Sequence, residues 1–217
     1  METFGWLWVG LSLPVLLVFD YIYAKTRPLG NSVWRSAAKC GATFIAVSTA
    51  VFGTVWYDRP PESWVLVAAL ALCCVADFVI ERSFAGGIVS FALAHIAFIA
   101  YILTVARPVW YSVPIALVLY GAVALLFRHD LKRLGGLLVP MLVYPAVLAA
   151  MTATAVVLPF TASARYAIFA LGAAAFGVSD MFVAKDAISG ITGVQREFAL
   201  LLYYGAVYAM AAVQLVG

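Results

Sequence analysis

Eight apolar runs, each close to the roughly 20 residues a helix needs to cross the hydrocarbon of a bilayer, follow one another along this chain with only short breaks between them. They cover 4–23, 37–56, 63–80, 86–105, 110–127, 136–158, 165–184 and 198–216. The breaks, such as Asp58-Arg59-Pro60-Pro61, Ala106-Arg107-Pro108 and Pro159-Phe160-Thr161, read as turns, because Pro and Gly punctuate helices. The pattern predicts an all-α fold: one integral membrane domain over residues 1–217, built as a polytopic bundle of eight transmembrane helices. The first run lacks a basic start and a small-residue cleavage site, so it reads as a permanent helix and not as a signal peptide.

Composition agrees. At 66% hydrophobic and 11% charged, the chain falls well below the roughly 25% charged residues of water-soluble domains. Thirteen Lys and Arg against ten Asp and Glu are too nearly balanced, and too scattered, for a nucleic-acid-binding surface. Cys40, Cys73 and Cys74 all lie in apolar runs and offer neither a disulfide framework nor a zinc-binding CxxC pair, so they read as small apolar filler.

Cytoplasmic loops of membrane proteins hold the excess of Lys and Arg. Lys25, Arg27, Arg35, Lys39, Arg82, Arg128, Lys132, Arg133, Lys185 and Arg196 fall on one side, and Arg59, Arg107 and Arg165 on the other. Both termini are therefore expected outside the cytoplasm; in a bacterium the membrane would be the inner one. With that orientation Asp20, Asp77, Asp180 and Lys39 share a level within about one helical turn of the cytoplasmic ends. Ionisable groups inside membrane spans are costly and tend to face the bundle interior, which makes Asp77 and Asp180 the leading functional candidates. Asp20 reads equally as an interfacial residue, and Lys39 as a side chain snorkelling to headgroups. Glu81 follows Asp77 by one turn on the same face, and His95 falls near the bilayer middle as a helix-to-helix hydrogen-bond partner or a proton carrier.

The two aspartates occupy matching contexts. Val75, Asp77, Gly87 and Ile88 recur as Val178, Asp180, Gly190 and Ile191 at a constant offset, each set beginning in the third helix of a four-helix half. A duplicated four-helix unit would place a site at the interface between its halves. Ala173 and Gly177, on the face of Asp180, are the small residues that would admit a close neighbour.

These residues carry a resemblance. Asp77-Phe78-Val79-Ile80-Glu81 with Phe84, Gly87, Phe91 and Ala94-His95 is similar to a block of the lysoplasmalogenase, or YhhN-like, family of membrane proteins. Gly172-Ala173, Phe176, Ser179-Asp180 and Ala184, the closing pair Tyr203-Tyr204, Lys39 near the start of the second helix, and Tyr144 and Met151 in the sixth resemble the rest of its pattern. The chain departs from that pattern at Ala76, Phe98 and Val207, where the family usually has Gly, Tyr and Gln.

The resemblance implies hydrolysis of the vinyl ether bond of lysoplasmalogens, releasing a fatty aldehyde and glycerophosphocholine or glycerophosphoethanolamine. It implies no metal or organic cofactor. The partners are then a lysophospholipid substrate and the bilayer, with no nucleic acid and no indication of oligomeric state. Asp77 and Asp180 would be the catalytic pair, and Lys39, Glu81, His95, Ser179, Tyr203 and Tyr204 their supporting or substrate-binding neighbours. One carboxyl can act as acid and the other as base when burial and a like charge separate their proton affinities. Two other readings stay open: a zinc amidase, although His95 and His129 are the chain's two histidines and zinc sites usually take three protein ligands; and a small transporter or ligand-sensing receptor using the aspartates for proton coupling or solute binding.

Overall fold

The computed structural model describes residues 3–27, 32–129 and 138–216. Among them run eight α-helices: α1 (Thr3–Thr26), α2 (Val33–Trp56), α3 (Ser63–Ile80), α4 (Phe84–Val105), α5 (Ser112–Phe127), α6 (Leu138–Thr161), α7 (Ala167–Ser189) and α8 (Gly193–Ala212). Seven are long and apolar enough to span a membrane, so the protein is a multi-pass integral membrane helix bundle. The exception, α5, has 16 residues and a length of about 24 Å at 1.5 Å per residue, short of the roughly 30 Å hydrocarbon core.

Several helices extend beyond the apolar runs. Capping explains two of the extensions. Ser32 accepts the backbone N–H of Arg35 and starts α2 at Val33, and a Thr192–Gln195 capping box starts α8 at Gly193. Each cap satisfies amide groups that an unstarted helix would leave open. The added first turns carry Arg35 into α2 and Arg196 into α8. At the far end of α7, Gly190 adopts φ 76° and ψ 154°, a conformation open almost only to glycine, and stops the helix after Asp186 has joined it. Pro159-Phe160-Thr161, expected as a turn, closes α6 from within the helix. A proline that near the end leaves only one carbonyl without its partner. The expected start of the sixth run at 136, together with Lys132 and Arg133, lies outside the described residues.

The two halves of the chain pack in corresponding ways. Within each, consecutive helices lie against one another, and the third–fourth pairs, α3–α4 and α7–α8, make the most extensive contacts. Between halves, α2 packs on α8, and its counterpart α6 packs on α4. These contacts follow the relation expected of two like four-helix units facing each other. The correspondence is incomplete, since α1 and α3 also touch α8. α8 is the most enclosed span, 72% of its window being buried against 17% for α1. The tightest approach on α7 falls at Gly172, where a Cβ would lie 2.7 Å from the Ala206 carbonyl oxygen, and not at Gly177, whose nearest neighbour would be 3.7 Å away.

Candidate active site

A cavity of about 480 Å³ opens among the end of α1, the starts of α2, α4, α6 and α8, and the ends of α3 and α7. All of these lie at one end of the bundle, the end carrying most of the basic residues. Asp77 and Asp180 both line it.

Asp77, fully buried on α3, receives donors from two other helices. Thr43 of α2 and Tyr203 of α8 both donate hydroxyls to its Oδ2, the latter at 2.7 Å. Its Oδ1 accepts no hydrogen bond and faces Lys39 Nζ at 3.6 Å. Asp180, on α7, has a side chain 13% exposed. Tyr144 of α6 donates its hydroxyl to Asp180 Oδ2, and His95 Nε2 of α4 lies 2.9 Å from that hydroxyl and 3.7 Å from the carboxyl. A tyrosine hydroxyl that donates to Asp180 accepts from His95, which assigns a proton to Nε2. His95 Nδ1 is buried with no hydrogen-bond partner.

The two arrangements correspond. Each aspartate, from the third helix of its half, is bonded by a hydroxyl from the second helix of the same half. Each is also approached by an aromatic polar group from the fourth helix of the other half, Tyr203 for Asp77 and His95 for Asp180.

Lys39 does not snorkel to headgroups. α2 begins four residues before its apolar run, which puts Lys39 in the second turn, 12% exposed, between Asp77 and Glu81 Oε1 at 3.4 Å. Glu81, just past the end of α3, also accepts from the Tyr23 hydroxyl at 2.8 Å and pairs with Arg35 at 2.6 Å. Tyr23 lines the cavity with the cations of Arg27, Arg35 and Lys39 between 5.1 and 5.7 Å from its ring centre, within the range of cation–π attraction. At the mouth Arg196 grips both oxygens of Asp186 at 2.7 and 2.6 Å, and Arg27 pairs with Glu197 at 2.8 Å. The wall also includes the apolar side chains Ile80, Phe84, Ile88 and Met141. Pro145 follows Tyr144 inside α6 and has no N–H for the Met141 carbonyl, leaving an acceptor in the helix turn beside the cavity.

A sequence model of the YhhN family matches residues 34–213. The chain belongs to the YhhN family. No curated protein and no solved structure matches it.

The YhhN block residues come together physically. Phe91, Phe176 and Tyr203 meet edge to face with ring centres 5.2 to 6.0 Å apart, and His95 packs edge-on against Phe176 at 4.7 Å. These rings hold α4, α7 and α8 together beneath the two carboxyls, in the geometry aromatic pairs prefer. Ser179 lines the cavity but spends its hydroxyl on the Ala199 carbonyl at 2.8 Å, tying α7 to α8. Tyr204 is fully buried outside the cavity wall, its hydroxyl without a hydrogen-bond partner. Asp20 and the exposed Lys185 also lie outside the wall. Ala76, Phe98 and Val207, the departures from the YhhN pattern, are each fully buried and none lines the cavity.

Thr43, Tyr23 and the bonding role of Tyr144 were not indicated by the sequence. Cys40 and Cys74 are more than filler: each thiol donates to the other's carbonyl, at 3.5 and 3.4 Å, binding α2 to α3. His129, at the exposed end of α5, accepts from Arg128 Nε at 2.9 Å.

Proposed function

We propose that the protein is a lysoplasmalogenase, a membrane hydrolase that cleaves the vinyl ether bond of a lysophospholipid to a fatty aldehyde and a glycerophospho-alcohol. One observation carries the reading: two carboxyls from matching helices face one cavity whose wall also holds apolar side chains and several basic residues. An alkenyl chain fits the apolar wall, and the glycerophosphate fits beside Arg35, Arg27 and Arg196. Membership of the YhhN family supports hydrolase chemistry in outline. The excess of basic residues at this end supports a mouth in the cytoplasmic leaflet, with both termini on the other side.

The carboxyls divide the work by their surroundings. Asp77, which faces two hydroxyl donors and the Lys39 ammonium, is assigned the role of base. Asp180, beside Tyr144 and His95, is assigned the role of proton donor. Its proton goes to the β-carbon of the vinyl ether; the C=C π bond breaks, a C–H bond forms, and the ether oxygen becomes an oxocarbenium. Asp77 stabilises that positive charge as it develops, and Asp77 Oδ1, which accepts no hydrogen bond, takes a proton from the water that attacks the α-carbon. The resulting hemiacetal collapses to aldehyde and alcohol, returning one proton to the site for each one spent.

Charge suits a phosphodiester. Among the described residues the wall holds four cations, Arg27, Arg35, Lys39 and Arg196, and four acids, Asp77, Glu81, Asp180 and Asp186. With one of the two aspartates carrying the catalytic proton, these residues leave one net positive charge, matching one phosphodiester.

The test is aldehyde release by purified protein given choline and ethanolamine lysoplasmalogens. Stoichiometric aldehyde and glycerophospho-alcohol are expected. Uptake of unchanged lipid into sealed vesicles without aldehyde would replace the hydrolase with a transporter.

A further inference from the structure

The opposite end of the bundle holds a second cavity, of about 550 Å³, that this chemistry leaves unused. Its wall includes Ser63 at the start of α3, Tyr101 and Thr104 near the end of α4, and Ser163, Arg165 and Tyr166 between α6 and α7. Among the described residues Glu62, which is exposed, is its one acid.

Arg165 is incompletely satisfied. Its Nη2 donates to the Tyr166 hydroxyl at 2.9 Å and its guanidinium carbon lies 4.9 Å from the centre of that ring, but Nε is buried with no hydrogen-bond partner. A buried donor without an acceptor is costly, above all on a charged group. Ser163 precedes the short 3-10 turn Ala164–Tyr166 without capping it, leaving its hydroxyl available for an oxyanion. A second cation stands behind. Arg59 donates Nε to the Gln214 carbonyl at 3.0 Å and Nη2 to the Val216 carbonyl at 2.6 Å, bonds that fix the guanidinium in place. Burial, then the positive charge of Arg165, draw the Arg59 pKa below its ordinary value, so the two guanidinium groups lie within electrostatic reach of each other. Arg165 on the wall, and Arg59 next to the wall residue Pro60, are two of the three basic residues expected on this face of the membrane.

We propose that this cavity binds a phosphate oxyanion, with Arg165 as the direct donor and Arg59 as the supporting charge. Arginine matches phosphate better than any other side chain. The depth favours a lipid source: Trp64, half exposed one residue after Ser63, and Trp110, 81% exposed, are residues of the type that marks the headgroup level.

The test uses the full-length protein in a neutral detergent, titrated separately with phosphatidylglycerol and with inorganic phosphate, reading thermal unfolding and, by native mass spectrometry, bound lipid. Wild type should bind one phosphatidylglycerol saturably, and Arg165→Gln should bind it at least tenfold more weakly, with millimolar phosphate inert; that result assigns a lipid headgroup. If phosphate itself stabilises wild type and Arg165→Gln abolishes the effect, the site takes the free oxyanion. Should Arg165→Gln fail to fold, Arg165→Lys keeps the charge without the Nε donor, and weakened binding is again expected. Equal responses of wild type and either folded variant to both probes would overturn the proposal. Aldehyde release, which reports on the other cavity, should survive in these variants.

Discussion

Tyr203 of α8 donates its hydroxyl to Asp77 Oδ2 at 2.7 Å, joining the last helix of one half to the third helix of the other. The bond is fully enclosed, and the carboxyl it reaches is one of the two on the cavity wall. Tyr203→Phe keeps the ring against Phe91 and Phe176 and removes only the donor. A hydrogen bond to a charged group contributes about 1.5 to 3 kcal/mol, so turnover should fall about 10- to 100-fold with KM nearly unchanged. Steady-state kinetics on lysoplasmalogen would check this, and a change confined to KM would move Tyr203 into substrate binding.

Tyr144 connects His95 to Asp180, so the three should behave as a unit. Tyr144→Phe and His95→Phe should each slow turnover, and the double variant should be no worse than the more damaging single one, because coupled residues are not additive. Independent, multiplying effects would mean that the tyrosine does not relay the histidine.

Lys39 tests the electrostatics. Removing one partner of a buried ion pair typically costs about 3 to 5 kcal/mol because the other charge is left behind. Lys39→Met should therefore lower thermal stability markedly, and adding Asp77→Asn should restore much of it. A lysine held only at the headgroups would give a stable single variant and no rescue.

Gly172 and Gly177 separate close packing from mere smallness. Gly172→Ala should destabilise by about 1 to 3 kcal/mol, since its Cβ would meet the backbone of α8, whereas Gly177→Ala should be neutral or slightly stabilising. Thermal unfolding in detergent would read both.

The helix count was legible because span length is set by bilayer thickness, and Asp77 and Asp180 were legible because a carboxyl in an apolar run has no bland explanation. Thr43 was not, since a threonine in a membrane helix reads as apolar filler until a carboxyl from the next helix is seen against it. Lys39 read both as a headgroup snorkel and as a neighbour of the carboxyls because it stood at the start of the apolar run; the Ser32 cap starts the helix a turn earlier and the fold sets Lys39 between Asp77 and Glu81. The pairing of Asp77 with α8 and of Asp180 with α4 depends on which helices pack across the two halves. The offset between the aspartates hinted at two like units but could not say which faces meet.

The central claim is that both carboxyls perform proton chemistry. Asp77→Asn and Asp180→Asn preserve shape and remove only that capacity, so the decisive measurement is aldehyde release by each purified, folded variant. Loss of general acid or base function costs about 10² to 10⁴ in rate, and both variants should fall by that factor, while Asp20→Asn, outside the cavity wall, retains most activity. Wild-type-like aldehyde release by either Asp77→Asn or Asp180→Asn would contradict the two-carboxyl mechanism.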